Sequence, residues 1–222
     1  ARYAAGLLLL AALALGLLVW NVSAGSVYIP PGEVLSALFS PERGGIVWGM
    51  RLPRLLAAAI LGGALSVSGF LLQTFFANPI AGPFVLGISS GAKLTVALVM
   101  VAFLSRGVVI SSMAMVAGAF AGSMISMGFV LLMSRRVRSM SMLVVCGIMI
   151  GNICSAVTDF VVTFSDDSNI VNLHNWSLGS FSGTSWEDVR LMAWIVGTAL
   201  LLSFLLSKPI GAYQMGEVYA QN

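Results

Sequence analysis

Long apolar segments without charge are the feature that most constrains this chain. The sequence runs from Leu55 to Phe76, and again from Gly107 to Met133, without one charged side chain. A helix rises about 1.5 Å per residue and the hydrocarbon layer of a membrane is about 30 Å thick, so about 20 apolar residues are enough to cross it. These segments predict a protein that spans a membrane.

The composition supports the same prediction. Only 9% of the residues are charged and 59% are hydrophobic, with a mean hydropathy of +0.99, whereas soluble domains are about 25% charged. So few polar residues could not cover the surface of a soluble chain of this size, and lipid is therefore expected around most of it. The formal charge of +3 rests on few residues and predicts no nucleic-acid surface. Cys146 and Cys154 are interpreted as small hydrophobic residues rather than a disulfide or metal pair.

Six membrane spans are predicted within one domain, residues 1–222. They are expected to be helices, because an unbroken apolar run satisfies its backbone hydrogen bonds internally only as a helix. The predicted spans cover residues 6–22, 55–76, 84–104, 107–133, 142–164 and 190–207. The fold class is therefore all-α, a polytopic helical membrane protein. A secretory signal is the alternative for the first span, since Arg2 precedes an apolar run that leads to Val22-Ser23-Ala24.

The distribution of basic residues gives the orientation only weakly. With the amino terminus in the cytoplasm, six of the 11 basic residues fall inside and five outside. The cluster Arg135-Arg136-Val137-Arg138 lies beside two span ends and favours that orientation, because lysine and arginine accumulate in cytoplasmic loops.

Glycines four residues apart predict close packing between helices, because small residues let two helix backbones approach. The pairs are Gly87 and Gly91, Gly118 and Gly122, and Gly147 and Gly151. These pairs indicate a compact bundle and carry no information about a substrate.

Several short motifs resemble those of a known family. They are Arg51-Leu52-Pro53-Arg54; Gly62, Gly63, Ser68, Gly69 and Gln73; Asn78-Pro79-Ile80-Ala81; Leu86 to Ala92; Asn175 to Gly183; and Met215 to Ala220. In this order and spacing, the chain resembles the transmembrane permease subunits of type II ABC importers, which take up iron-siderophore, haem or cobalamin.

The resemblance implies an assembly with several partners. Such permeases have about ten spans, pair as homodimers or heterodimers, bind two ATPase subunits and receive cargo from a periplasmic or lipoprotein binding protein. The end of this sequence matches the family's connection between spans six and seven, so the chain is expected to be a fragment that lacks the last four spans. The expected location is the bacterial plasma membrane, in contact with lipid and with no nucleic-acid partner.

The resemblance also assigns a docking role to Arg51 and Arg54, which are expected at the outer mouth just before the second span. In the family such arginines pair with acidic residues of the binding protein, and a guanidinium suits this because it binds a carboxylate with two parallel hydrogen bonds. The alternative is an anchor at the membrane interface.

Met140 and Ser141 are assigned to a cytoplasmic gate, at the position where family members narrow the pathway. A flexible apolar side chain beside a small hydroxyl can close a pore by excluding water. An ordinary helix start, in which a serine caps the first turn, is the alternative.

Gly216, Glu217 and Tyr219 are expected to contact the ATPase, because the matching region of the family forms short coupling helices. A surface loop without such a role is the alternative. The resemblance places ATP and Mg on the partner ATPases, so that this chain itself is expected to need no cofactor.

Two charges lie inside apolar runs, where an ionisable group is costly unless it is paired or hydrated. Lys93 is expected to extend to the cytoplasmic interface. Asp159 is expected near the outer end of the fifth span, where it could line the pathway. His174, in the predicted outer loop, is interpreted as a solvent-exposed residue rather than a haem ligand.

The leading functional interpretation is a permease subunit that is not itself an enzyme. The sequence contains no phosphate-binding GxxxxGK[ST] loop and no nucleophile paired with a base. An ion-coupled secondary transporter is the alternative, with Asp159 as its only acid within a span. An intramembrane hydrolase is less consistent, because Asp159 has no partner acid in another apolar run. The first expected cargo is an iron-siderophore, followed by haem or cobalamin.

Overall fold

The computed structural model describes residues 2–25, 27–39, 45–104, 107–108, 110–137 and 139–214. These residues form helices and connecting turns, with no strand among them, which confirms the all-α prediction. The helices are α1 (Arg2–Ser23), α2 (Pro31–Phe39), α3 (Leu52–Phe76), α4 (Ile88–Leu104), α5 (Ser112–Ser134), α6 (Met140–Thr163), α7 (Asp167–Leu178), α8 (Trp186–Leu205) and α9 (Ser207–Gln214); a π-helical turn, Val47–Arg51, leads into α3.

Within the described residues, five helical segments are long and apolar enough to cross a membrane. They are Arg2–Ser23, Val47–Phe76, Ser112–Ser134, Met140–Thr163 and Trp186–Leu205. The predicted third span corresponds to α4, which has 17 residues and begins at Ile88 rather than residue 84. The preceding Gly87 has φ +71°, a conformation that glycine adopts without strain but that interrupts a right-handed helix.

The exposure of large apolar side chains agrees with a lipid environment. Along α1, Leu8 is 72% exposed and Leu17 is 67% exposed. At most 22% of the apolar window of any of the five long segments is buried inside the chain. Water would penalise this much apolar surface, whereas hydrocarbon does not.

The π-helical turn Val47–Arg51 explains why the helical segment of the predicted second span begins before residue 55. Pro53 has no N–H to donate to the carbonyl four residues before it, so the regular helical ladder is interrupted there. The N–H of Leu52 bonds instead to the carbonyl of Val47, the wider spacing of a π-helix. Arg51 and Arg54 consequently lie in the first turns of one helical segment, Val47–Phe76, and their place at the outer mouth stays a prediction.

The motif at the end of α3 forms a helix cap. The N–H of Asn78 bonds to the carbonyl of Gln73 at 3.1 Å, and the N–H of Ala77 bonds to that of Thr74 at 3.2 Å. This is a Schellman motif, with Ala77 in the left-handed conformation at φ 46°. The side-chain oxygen of Asn78 then accepts the N–H of Ile80 at 2.9 Å, which sets the turn after the helix.

Close packing of α4 with α5 and α6 confirms the prediction made from the glycine pairs. A Cβ on Gly87 would lie 2.8 Å from both the carbonyl oxygen of Gly147 and the backbone nitrogen of Gly151. A Cβ on Gly91 would lie 2.7 Å from the carbonyl oxygen of Gly122. The backbones therefore touch where side chains are missing, as small residues permit in membrane helices.

The segment predicted as a loop between the fifth and sixth spans contains the helix α7, so that part of the prediction is wrong. Leu173 is 4% exposed and packs in one cluster with Val96 and Met100 of α4. Asn169, four residues earlier, is also buried. Because residues four apart share one side of a helix, this short segment is held by burial of one side. His174 is exposed, as expected, but on a helix.

Two compact units share these helices. The first contains residues 1–64 and 180–203, and the second contains residues 65–179 and 204–222. The candidate docking residues belong to the first unit, and the candidate gate belongs to the second.

Candidate functional site

Arg51 is buried, with 9% of its surface exposed. Its Nη1 donates to the carbonyls of Val22 and Ser23, the latter at 3.4 Å, and its Nη2 donates to the carbonyl of Val27. The last carbonyls of a helix have no partner within the helix. The guanidinium therefore caps the carboxyl end of α1, where a positive charge also complements the helix dipole.

Gly25 provides the space for this guanidinium. A Cβ at Gly25 would lie 2.7 Å from Nη2 of Arg51 and 3.1 Å from its Cζ. The hydrophobic cluster of Val22, Val34 and Val47 packs beside it. Arg51 is thus held from several sides within this unit, and its docking role stays a prediction.

Arg54 has a different environment. It is half-buried, and its Nη2 donates to the carbonyl of Ser182 at 3.2 Å. Its remaining N–H groups have no partner within the described part of the chain. Arg54 and Phe181 line a cleft of about 700 Å³ together with residues of α1, and Arg51 also lies on its wall. Of the two arginines, Arg54 has the guanidinium that a partner could still reach.

The same unit brings two distant motifs together. The indole N–H of Trp186 donates to the carbonyl of Trp48 at 2.7 Å, and the two rings lie 5.6 Å apart. Ser185 and Asp188 form a reciprocal cap at the start of α8: Ser185 Oγ accepts the N–H of Asp188 at 3.2 Å, and Asp188 Oδ2 accepts the N–H of Ser185 at 2.9 Å. The residues around Arg54 and the segment before α8, residues 180–185, therefore form one local surface.

The candidate gate lies at the start of α6. Met140 is the first residue of the helix and 40% exposed, and Ser141 is also exposed. Ser139 occupies the N-cap position, but its side chain makes no cap hydrogen bond among the described residues. α6 therefore starts here without a serine side-chain cap, and both the gate and an ordinary helix start stay open.

α6 has three distinct faces around its axis. The packed face consists of buried residues: Leu143, Val144, Gly147, Gly151 and Thr158. The apolar face consists of exposed hydrophobic residues: Met142, Met149, Ile153 and Phe160. The polar face consists of exposed residues at helical spacing: Ser141, Asn152, Ser155, Asp159 and Thr163. The exposed Val145 and Ile148 lie on the same side between Ser141 and Asn152. Only the polar face gathers hydrogen-bonding side chains along the outside of the span.

Ser141 and Asp159 of this face were predicted from the sequence, whereas Asn152, Ser155 and Thr163 were not. The spacing of Asn152, Ser155, Asp159 and Thr163, three or four residues apart in an otherwise apolar run, could have revealed them.

Lys93, the other charge within a predicted span, lies half-buried in the second turn of α4. Gly216, Glu217 and Tyr219 lie outside the described residues.

The cysteines and the acidic residues that the structure describes are not grouped as metal ligands. Among the described residues, no group of three or more His, Cys, Asp or Glu is placed to hold a metal ion. Cys146 and Cys154 are both free and half-buried, and Sγ of Cys154 lies 3.9 Å from Oγ of Ser126.

Bacterial permeases are among the relatives of this chain. It is 37% identical over 205 residues to the vitamin B12 import system permease protein BtuC of Klebsiella pneumoniae subsp. pneumoniae, which covers 92% of the chain and 59% of that protein. It is 35% identical over 215 residues to BtuC of Escherichia coli O127:H6, covering 97% of the chain and 64% of that protein. The chain therefore spans less than two thirds of the length of these relatives.

A solved structure has the same fold. It is described as an inward-facing conformation of a metal-chelate type ABC transporter, and it aligns with a TM-score of 0.76 at 22% identity over 96% of this chain and 64% of that one. The prediction of a multi-pass protein of the bacterial plasma membrane is confirmed by the bacterial relatives together with the apolar helices. Because the model of the FecCD transport family matches residues 9–222, the chain belongs to that family.

Proposed function

We propose that this chain forms the transmembrane pathway of an ATP-driven importer for a metal chelate. The observation that carries the proposal is the family match over residues 9–222, which includes all of the long apolar helices beyond the start of α1. The chain acts as a transport subunit rather than an enzyme. Partner ATPases bind ATP and Mg and hydrolyse the nucleotide, and a second permease subunit completes the pathway.

Cobalamin is the cargo best supported by the relatives, since BtuC proteins at 35% and 37% identity are named for vitamin B12 import. An iron-siderophore, the first cargo expected from the sequence, stays a prediction, as does haem. The cargo would be delivered by a binding protein that docks on the outer side, where Arg54 retains free donors. Gly216, Glu217 and Tyr219 remain the proposed contacts with the ATPase.

ATP dependence separates this function from the secondary transporter. We expect vesicles with the complete importer to transport cyanocobalamin from the loaded binding protein only when ATP is present on the side of the membrane that carries the ATPases. With a non-hydrolysable ATP analogue on that side, transport should be at least about tenfold lower. Ionophores that collapse ion gradients should leave uptake unchanged. Uptake that follows the ion gradient and ignores ATP would establish the secondary transporter instead.

A cysteine at the proposed gate should trap the closed pathway. In a variant without Cys146 and Cys154, we expect Ser141→Cys or Met140→Cys to form a crosslink between paired permease subunits and to reduce uptake at least about tenfold, with recovery after reduction. The physical reason is that a covalent bond across a narrow constriction prevents the helix shift that opens it.

Met142→Cys is the matched control, because Met142 lies on the apolar face of the same helical turn. It should neither crosslink nor impair uptake. Equal crosslinking at Met142 and Ser141, or no crosslink at either gate position in any nucleotide state, would contradict the gate.

A further inference from the structure

The polar face of α6 is the feature that the fold itself does not explain. Among the described residues, neither the amide of Asn152 nor the carboxylate of Asp159 has a hydrogen-bond partner. Ser155 Oγ makes one long hydrogen bond, 3.4 Å, to Ser90 Oγ of α4. Unpartnered polar groups are costly in hydrocarbon, and a carboxylate is the most costly of them. Lipid is therefore a poor environment for this face.

The neighbouring face of the same helix has the opposite character. Ile153 is 59% exposed and Phe160 is 66% exposed, on residues that flank Asn152 and Asp159 in the sequence. Since successive residues point about 100° apart around a helix, the exposed polar and the exposed large hydrophobic residues between 152 and 163 fall into two separate sectors, whereas the exposed Val145 and Ile148 interrupt the polar sector nearer the start of the helix. One sector suits lipid and the other suits water, which is the pattern of a helix between a bilayer and an aqueous cavity.

The line from Ser141 to Asp159 has the length and position of a transport path, polar in its outer half and carrying the exposed Val145 and Ile148 in its inner half. Ser141 and Asp159 lie on one line along the helix, 18 residues or about 27 Å apart, close to the thickness of the hydrocarbon layer. On the orientation that the arginine cluster after α5 predicts, Ser141 is at the cytoplasmic end. Asn152, Ser155 and Asp159 then occupy the outer half, between the entrance and the gate.

We propose that Asn152, Ser155 and Asp159 line a water-filled outer section of the cargo pathway, and that Asp159 favours neutral or cationic chelates over anionic ones. This inference rests on the proposed transport function for the identity of the cargo. The amide of Asn152 and the hydroxyl of Ser155 can form weak, exchangeable hydrogen bonds with polar groups at the edge of a chelate. The carboxylate accepts donors such as amide N–H groups and repels carboxylates or catecholates. A chelate with amide groups and no net negative charge fits this chemistry.

Cysteine labelling tests the proposal without ATP or cargo. In the complete importer in membrane vesicles, with Cys146→Ala and Cys154→Ala, Asn152→Cys and Ser155→Cys should react with membrane-impermeant methanethiosulfonates. Ile153→Cys, on the apolar face, should react at least about tenfold more slowly. The ratio of the rates for a trimethylammonium reagent and for a sulfonate reagent then reports the local charge.

Asp159→Asn should lower that ratio at Asn152→Cys by about fourfold. The estimate follows from two unit charges about 10 Å apart in water, the rise of seven helical residues, acting with opposite sign on the two reagents. Asp166→Asn, an exposed acid beyond the end of α6, is the matched control and should leave the ratio unchanged.

Two results would overturn the inference. Labelling of Asn152→Cys and Ser155→Cys that is as slow as that of Ile153→Cys would place the polar face in lipid or against protein. A charge ratio that Asp159→Asn does not change would remove the selective role of Asp159. Either result is independent of the ATP-dependence assay, so the transport function could stand while this inference fails.

Discussion

Replacing Gly122 with alanine should destabilise the bundle of α4 and α5 by about 1–3 kcal/mol, the usual cost of forcing an extra group into a packed core. The new Cβ would lie 2.1 Å from Oγ1 of Thr95 and 2.3 Å from the carbonyl oxygen of Gly91. The second atom belongs to the backbone, so a change of rotamer cannot relieve the contact. The helices must separate, which also breaks the 2.8 Å hydrogen bond from Thr95 to the carbonyl of Gly118.

Gly128→Ala provides a matched control in the same helix, because no atom lies within 4 Å of a Cβ at that position. An alanine there should leave stability unchanged or raise it by up to about 1 kcal/mol through helix propensity. The measurement is the fraction of the complete protein that stays folded in detergent during denaturant or heat titration. Equal stability of the two variants would show that the helices are not held at the backbone contact.

The packing of this chain was predictable from the sequence because its cause is local. A glycine every fourth residue places a groove on one side of a helix whatever the helix meets, so the contacts of Gly87, Gly91 and Gly122 followed from spacing. The π-helical turn before α3 was harder to predict from the sequence. Pro53 indicates that the regular helical hydrogen bonds are interrupted. Whether the chain then starts a new helix or continues through a wider turn depends on how the side chains of the preceding residues pack. Here Val47 is 1% exposed and anchors the turn.

The partners of the two arginines could not be predicted from their motif. In sequence, Arg51 and Arg54 are equivalent, three residues apart on either side of a proline. Their difference arises from residues distant in the chain: the end of α1 surrounds Arg51, and Ser182 lies beside Arg54. The polar face of α6 is the reverse case, because its spacing was present in the sequence but its exposure depended on which side of the helix packs.

Arg54→Glu should weaken capture of the loaded binding protein at least about tenfold, with little change in the stability of the permease. Arg54 is half-buried and has free N–H groups, so that reversal of its charge replaces a carboxylate-binding fork with a repelling group.

Arg51→Ala should act differently, by lowering the stability of the protein. It removes the Arg51 donor from the carbonyls of Val22, Ser23 and Val27, of which Ser23 keeps the N–H of Ile29, at a cost of about 2–4 kcal/mol in the free energy of unfolding.

Arg190→Glu is the matched charge reversal, because Arg190 is exposed near the start of α8. Among the described residues, its Nε bonds only within its own helix, to the carbonyl of Trp186 at 3.3 Å. Binding should be measured at two salt concentrations on the complete importer, and stability by denaturant titration in detergent. If Arg54→Glu and Arg190→Glu weaken binding equally, general electrostatic attraction rather than a specific contact explains the effect. If Arg51→Ala weakens docking while stability is unchanged, Arg51 is a docking residue after all, and the cap at the end of α1 contributes little.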